Sequence, residues 1–538
     1  MASVDELEKK MAALDPGDRS KMEKAALAET SDMAWVPNPG PQTMAYFSPA
    51  DELLYGGEVG GGKSDLICGL ALTAHTNSLI MRRFTDDARL LMKRAQKIVG
   101  HSNGLNKTLM EWNLDDKKLL EFGGAKNEDD KQRYKGRAHD LKAFDELADF
   151  TLTQYLFITT WLRTVDPNQR VRIVAGSNPP TTAEGIWILV RWAAWLDPKH
   201  PNPAEDGELR WYVKDPADDT KEIEVAERGP HYGPYYDREG KEVLIEARSR
   251  TFIRSRMEDN PDYERTGYSA VLDGLGGELK QAYRQGDFEI GLNDQPQQLI
   301  PSSWVREAQA RWTERPPPGL TMTAMGVDPA AGGTDSTCIA NRYDAWFGKL
   351  EVKPGKETPL GSQVAGLVLV NRRDGAVVVI DMGGGYGGGP LEHLEANGIP
   401  VVGYNGANKS SRKTEDRRLN FYNKRAEAYW KFRAWLDPSQ PGGSPVALPP
   451  DNLLLGDLTA PTFRVLPKGI LIEAKDDIKK RIGRSTDRGD AIVMCASEGA
   501  KGILVGKSSN IGNGGEHGLS NQRPRVILGR AVRRRQRR

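Results

Sequence analysis

Cysteine is nearly missing from this chain of 538 residues: Cys68, Cys338 and Cys495 stand far apart. That excludes a disulfide framework and a cysteine-rich zinc site, and it fits a reducing compartment. No apolar run approaches the roughly 20 residues that a membrane-spanning helix needs, so no membrane partner is expected. The opening stretch, MASVDELEKKMAALDPGDR, is charged throughout and holds no hydrophobic signal segment. Charge of one sign is missing as well. Lys and Arg total 75 against 74 Asp and Glu, a net of +1, so the total names no partner. The bias that exists is local, in the final GRAVRRRQRR. Two readings stand for that end: a basic arm on phosphate backbones, or a solvated tail.

What is present fits a soluble globular protein of two or three domains, with 38% hydrophobic and 28% charged residues. Residues 1–35 read as a helical arm, which WVPNPGPQ then breaks. From Leu53 to Pro180, short apolar runs alternate with amphipathic stretches. SLIMRRF, KLLEFGG, LKAFDE and VRIVAGSNPP read as strands; SDLICGLALTAH and TDDARLLMKRAQKIVG read as helices. The alternation predicts an α/β domain with a mainly parallel sheet over residues 36–290. Within it, residues 186–290 read as an insertion or lid, partly β-rich and partly helical. Residues 291–320 form a Pro-rich linker ending in TERPPPGL. A second alternating domain spans 321–500, and 501–538 is a flexible basic tail.

The stretch LLYGGEVGGGKSDL places Gly57, Gly62, Lys63 and Ser64 in the spacing G-x4-G-K-[ST], with Gly60 and Gly61 inside it. Backbone N–H groups that converge on a phosphate need side chains out of the way, so the glycines fit ATP binding. Lys63 supplies charge to the β- and γ-phosphates, Ser64 a hydroxyl for Mg²⁺, and the next helix its N-terminus. A loop of this kind needs a carboxylate on a neighbouring strand. HDLKAFDEL offers Asp145 for the metal and Glu146 to polarise the attacking water. Ser177 and Asn178, ending an apolar strand, suit a γ-phosphate sensor. Gln42 suits an adenine edge. Arg133 or Arg137 would serve as an arginine finger, in cis or across a subunit boundary, with Arg137 preferred.

The second half repeats an acid at the end of an apolar run. Asp328 follows TAMGV, Asp381 ends AVVVI before MGGGYGGG, and Asp490 opens the helix in DRGDAIVMCA. Hard cations such as Mg²⁺ or Mn²⁺ take oxygen ligands, and two of them about 4 Å apart clamp a phosphodiester. Asp335 and Asp487 are auxiliary acids, read as turn formers.

The order of these motifs resembles the large terminase subunit of tailed bacteriophages, over roughly residues 36–500. The resemblance implies an ASCE-type P-loop ATPase domain followed by an RNase H-like α/β nuclease domain. It implies Gly57 to Ser64 as Walker A, Asp145 and Glu146 as Walker B with its catalytic Glu, and Ser177–Asn178 as the coupling motif. It implies Asp328, Asp381 and Asp490 as nuclease metal ligands. In many relatives an arginine in a YRG-like stretch acts in trans, and here Lys135 takes that place in YKGR. The partners implied are double-stranded DNA, the portal protein of the prohead, the small terminase subunit and a homo-oligomeric ring, a pentamer when docked. The location implied is the host cytoplasm and, transiently, the portal vertex. A P-loop helicase or repair nuclease without a capsid partner is the alternative, although no second ATPase-like lobe follows Pro180. A nucleotide-binding scaffold that has lost its metal is a third reading.

Overall fold

A computed structural model describes residues 33–214, 222–236, 242–261 and 297–497, with Gly286, Phe288, Asp294 and Gln295 besides. Most of the expected helical arm, the helical reading of residues 262–285 and the basic tail lie outside the described residues. The chain divides into two compact units. The first runs to Arg306 and also takes Asp451–Val465 and Ile472–Gly489; the second holds Glu307–Pro450, Leu466–Leu471 and the residues from Asp490.

The strands of the first unit are β1 (Glu52–Gly57), β2 (Asn77–Arg82), β3 (Leu105–Asn106), β4 (Glu111–Asp115), β5 (Lys118–Gly124), β6 (Leu141–Asp145), β7 (Arg172–Ser177), β8 (Arg210–Lys214) and β9 (Glu222–Val225). After the hairpin of β10 (Pro230–Tyr236) and β11 (Glu242–Glu246) comes β12 (Arg248–Ser255). Among the described residues the main sheet runs β3-β4-β5-β2-β6-β7-β1-β12-β8-β9. It is parallel from β5 to β12 and antiparallel at both margins. The strand β7 separates β1, which leads into the glycine loop, from β6, which ends in Asp145. That insertion is the strand order of ASCE-type P-loop folds.

Why these runs form this sheet is visible in their alternation. Leu53 and Tyr55 of β1, Ile80 of β2, Val174 of β7 and Ile253 of β12 share one core with the helices Lys63–Thr73 and Thr85–Val99. Leu54, Leu79, Met81, Ile173, Ala175 and Phe252 form the other, with Trp187 and Trp192. Successive strand residues face opposite sides, so a sheet buried on both faces needs apolar residues at nearly every position. The stretch expected as an insertion thus gives the sheet β12, next to β1. Residues Ser302–Ala310, inside the expected linker, form a helix. Pro296 and Pro301 precede it and Pro316 to Pro318 follow it, so no proline falls inside it.

The second unit holds β13 (Ala324–Asp328), β14 (Ser336–Tyr343), β15 (Trp346–Phe347), β16 (Glu351–Pro354), β17 (Val377–Asp381) and β18 (Val401–Tyr404). Its sheet runs β15-β14-β13-β17-β18, with β16 also on β14. The pairs among β13 to β16 are antiparallel, and β17 and β18 run parallel to β13. This order and these directions are those of the RNase H fold. Met325, Val327, Val378 and Ile380 face the helices Gly361–Asn371 and Gly388–Ala396 on one side. On the other, the helix Asp487–Cys495 comes so near Gly326 that a Cβ there would stand 2.1 Å from the Ala491 carbonyl oxygen.

Candidate functional site

The first site lies at the carboxyl ends of β1, β6 and β7, where open α/β sheets hold ligands. Gly57, Gly60 and Gly62 have φ of 139°, 92° and 75°, a region that side chains disfavour. A Cβ on Gly61 would sit 2.7 Å from Ser255 Cβ, and one on Gly62 would sit 2.6 Å from Gln42 Nε2. The helix Lys63–Thr73 begins after Gly62 with no side-chain cap, which leaves its first N–H groups to an anion. The loop is held from outside. Tyr55 OH donates to the Gly61 carbonyl at 3.0 Å, Asn260 Nδ2 to that of Gly60 at 2.8 Å, and Gln42 Nε2 to that of Gly62 at 3.0 Å. The Gln42 Oε1 accepts from the Asn38 amide at 2.6 Å. Both ends of the amide expected at an adenine edge are thus engaged, one of them in bracing the loop.

The residues expected around the phosphates are brought together. Ser64 Oγ donates to Asp145 Oδ2 at 2.9 Å. Lys63 is buried and donates to the Glu58 carbonyl. Burial lowers its pKa, opposed by Glu146, Asp145 and Glu58. Asn178 Nδ2 donates to Glu146 Oε2 at 3.3 Å, which ties the end of β7 to the end of β6. Glu146 itself has φ 56° and ψ 58°, a left-handed conformation that costs a side-chain-bearing residue energy and clusters at active sites. Burial, then the Asp145 charge, pushes its carboxyl up to about 7. Ser177 is fully buried; its hydroxyl accepts from the Ala148 amide and donates to the Asn178 carbonyl, so its part is to shape the turn. The hard-oxygen pair Ser64 and Asp145, adjacent at the loop, fits a magnesium ion.

Arg137 is not among them. It precedes β6 and pairs with Glu121 at 3.0 Å and Glu111 at 3.4 Å, while Asp145 ends that strand. The guanidinium is therefore held level with the middle of β5, away from the carboxyl end of β6 where Asp145 stands. Arg133 is exposed and pairs with Asp130. The arginine that does meet the carboxylates is Arg82, which the sequence pattern did not single out. Its Nε and Nη2 donate to Asp145 Oδ2 at 2.8 and 2.6 Å. Its signal in the sequence is a charged residue ending the apolar run SLIMR.

The second site is at the edge of the smaller sheet. Val327 of β13 pairs with Ile380 of β17. The next residues on the two strands are Asp328 and Asp381, at the same level and on the face that Gly326 shares. Adjacent strands stand about 4.8 Å apart. Asp490 is the fourth residue of the helix lying on that face. The backbone thus carries all three acids to one edge. Their carboxylates are otherwise engaged: Asp490 Oδ1 accepts from Arg425 Nη1 at 2.5 Å and Tyr429 OH at 2.7 Å, and Asp381 Oδ1 from the Gly383 amide at 2.9 Å. Among the described residues no group of three His, Cys, Asp or Glu side chains closes on a metal position. By residue type and place the three acids fit hard cations; their side chains are not gathered as an ion would gather them. Arg425 and Tyr429, four apart on the helix Lys424–Leu436, carry no signal in the sequence. Asp487 pairs with Lys475 at 3.2 Å and belongs to the first unit.

No family model matches the chain, and no curated protein matches it. Solved structures do. The large terminase of a thermophilic bacteriophage is 12% identical, covers 85% of this chain and 98% of its own, and has a TM-score of 0.31. The same protein solved with ATP-gamma-S gives the same values. The nuclease domain of the large terminase subunit of bacterial virus Sf6 is 18% identical, covers 37% of this chain and 97% of its own, with a TM-score of 0.30. The chain is similar in structure to phage large terminases. At these values the likeness assigns no residue a role, and the roles rest on the geometry above.

Proposed function

We propose that this chain is the large subunit of a viral terminase, which hydrolyses ATP to move double-stranded DNA into a prohead and cuts concatemeric DNA with a metal-dependent nuclease. The observation that supports it is the pairing of two phosphate chemistries on one chain. One is a glycine loop whose Ser64 meets Asp145 across an inserted strand. The other is an RNase H-type sheet that brings Asp328, Asp381 and Asp490 to one edge.

In this reading the loop amides and Lys63 hold the β- and γ-phosphates, and Ser64 with Asp145 would hold magnesium. Bound there, the ion would neutralise charge on the terminal phosphates. Glu146 orients the attacking water and takes its proton, a role for a carboxyl whose pKa is near neutral. Asn178 reads the state of Glu146 through their hydrogen bond and passes it to the turn after β7. Arg137, away from its own loop, is left to serve the nucleotide of a neighbouring subunit in a homo-oligomeric ring, a pentamer when docked. At the second site Asp328, Asp381 and Asp490 would hold Mg²⁺ or Mn²⁺, which supplies Lewis acidity at the phosphodiester. Such a packaging motor works with duplex DNA, the portal protein and the small terminase subunit, in the host cytoplasm and at the portal vertex.

The test is purified chain with ATP and with supercoiled plasmid plus Mn²⁺. ATP turnover together with plasmid cleavage is expected, and ATP-dependent filling of portal-bearing proheads separates this reading from a free helicase. Folded protein that shows neither activity contradicts it.

A further inference from the structure

The reaction assigned to the glycine loop leaves one charged group without a role. Arg82 ends β2, whose register with β6 pairs Met81 with Phe144 and so brings Arg82 level with Asp145. Two of its nitrogens converge on a single carboxylate oxygen, Asp145 Oδ2. That oxygen also receives the Ser64 hydroxyl. The Arg82 Nη2 stands 4.0 Å from Glu146 Oε1 as well. The side chain is 22% exposed, so it reaches the open side of the site rather than the core. Both carboxylates raise its pKa against burial, and it stays charged.

An oxygen that already accepts from Ser64 and twice from Arg82 has no lone pair left for a divalent cation shared with Ser64. Arg82 must therefore yield Asp145 Oδ2 when that site loads. The strongest unneutralised charge then within its neighbourhood is the terminal phosphate of the nucleotide, whose β-phosphate the loop amides hold. A planar fork suits phosphate oxygens as it suits a carboxylate.

We propose that Arg82 is a γ-phosphate-binding residue in cis, exchanging Asp145 for the terminal phosphate when ATP binds. It then distinguishes ATP from ADP, and its move reports nucleotide state at the junction of β2 and β6. This rests on the ATPase reading of the loop.

The test compares full-length wild type with Arg82→Ala and Arg82→Lys, measuring affinity for ATP and for ADP by fluorescent analogues, with Mg²⁺ and in EDTA. Wild type is expected to prefer ATP. Arg82→Ala is expected to lose about tenfold or more in ATP affinity, the size of one charge-assisted contact, with ADP affinity unchanged; Arg82→Lys recovers part of it. If Arg82→Ala keeps the ATP preference, or loses ATP and ADP equally, the inference is overturned while the loop reading stands. Should the alanine variant unfold, a folded Arg82→Lys variant with the full wild-type preference overturns it too. A wild-type chain that binds neither nucleotide overturns both.

Discussion

Ser64 and Asp145 are 81 residues apart in sequence and in hydrogen-bond contact at 2.9 Å, although β1, which leads to Ser64, and β6, which ends in Asp145, are not neighbours in the sheet. The contact exists because β7 fills the gap between β1 and β6, placing both side chains at one edge. Glu146 follows Asp145 in a left-handed conformation that turns it toward Asn178. The first expected outcome concerns this residue. Glu146→Gln keeps the size and the Asn178 contact and removes the base. ATP binding should persist while turnover falls by about 10²-fold or more. Filter binding and phosphate release measured on one preparation check it.

The loop gives a steric prediction. Gly62→Ala places a methyl group 2.6 Å from Gln42 Nε2 at φ +75°. The conformation alone costs about 1 kcal/mol, and Gln42 must release the loop. Nucleotide affinity should drop at least about tenfold. Gly388→Ala, where a new Cβ meets nothing within 4 Å, is the control and should leave both activities as they are. Isothermal titration of ATP checks the first, and plasmid cleavage the second.

A buried lysine sets a pH dependence of stability. Lys142 is fully buried on β6, its Nζ donating to the Arg137 carbonyl at 3.0 Å and meeting His139 Nδ1 at 2.8 Å. Burial pulls its pKa down to about 7, opposed by Glu121 and helped by Arg137 and Arg163. The folded chain gives up this proton near pH 7, while the unfolded chain holds it until near the ordinary lysine value of 10.5. Folding stability from this group therefore rises with pH between those limits, and the penalty is full below pH 7. It amounts to at most about 5 kcal/mol. Lys142→Met should be the more stable protein at pH 6, with the gap closing toward pH 10. Urea unfolding of the first unit's transition at several pH values measures it.

Much of this is legible in the sequence. VRIVAGS, AVVVID and SDLICGLALT declare their elements because buried strands and a buried helix need unbroken apolar runs. Asp145, Asp328 and Asp381 are legible because Asp328 and Asp381 each end such a run, and Asp145 ends one that Lys142 interrupts. Arg82 is not, since a strand-end arginine looks the same whether it meets solvent or a carboxylate 63 residues on. Nor is β12, whose RSRTFIRS carries Arg250 at a position that meets buried Glu52 and the Tyr212 ring rather than water. The sequence suggests Gln42 for an adenine edge, and only the fold shows that its amide braces the Gly62 carbonyl. The return of Asp451–Val465 and Ile472–Gly489 to the first unit has no local sequence signal.

DNA binding should be strongly salt-dependent. A chain that tracks the backbone releases about one counterion for each phosphate it neutralises, so affinity falls steeply with salt. Affinity for a random duplex measured from 50 to 200 mM salt should fall by roughly 10³-fold or more if six or more phosphates are engaged. A flat response argues against backbone tracking.

The central claim is that two separate centres share the chain. It is tested most directly by measuring ATP turnover and Mn²⁺-dependent plasmid cleavage side by side in Lys63→Ala and Asp381→Ala. Lys63→Ala should lose turnover and keep cleavage, and Asp381→Ala should keep turnover and lose cleavage. If either substitution, in folded protein, abolishes both activities or neither, the division into two centres is wrong.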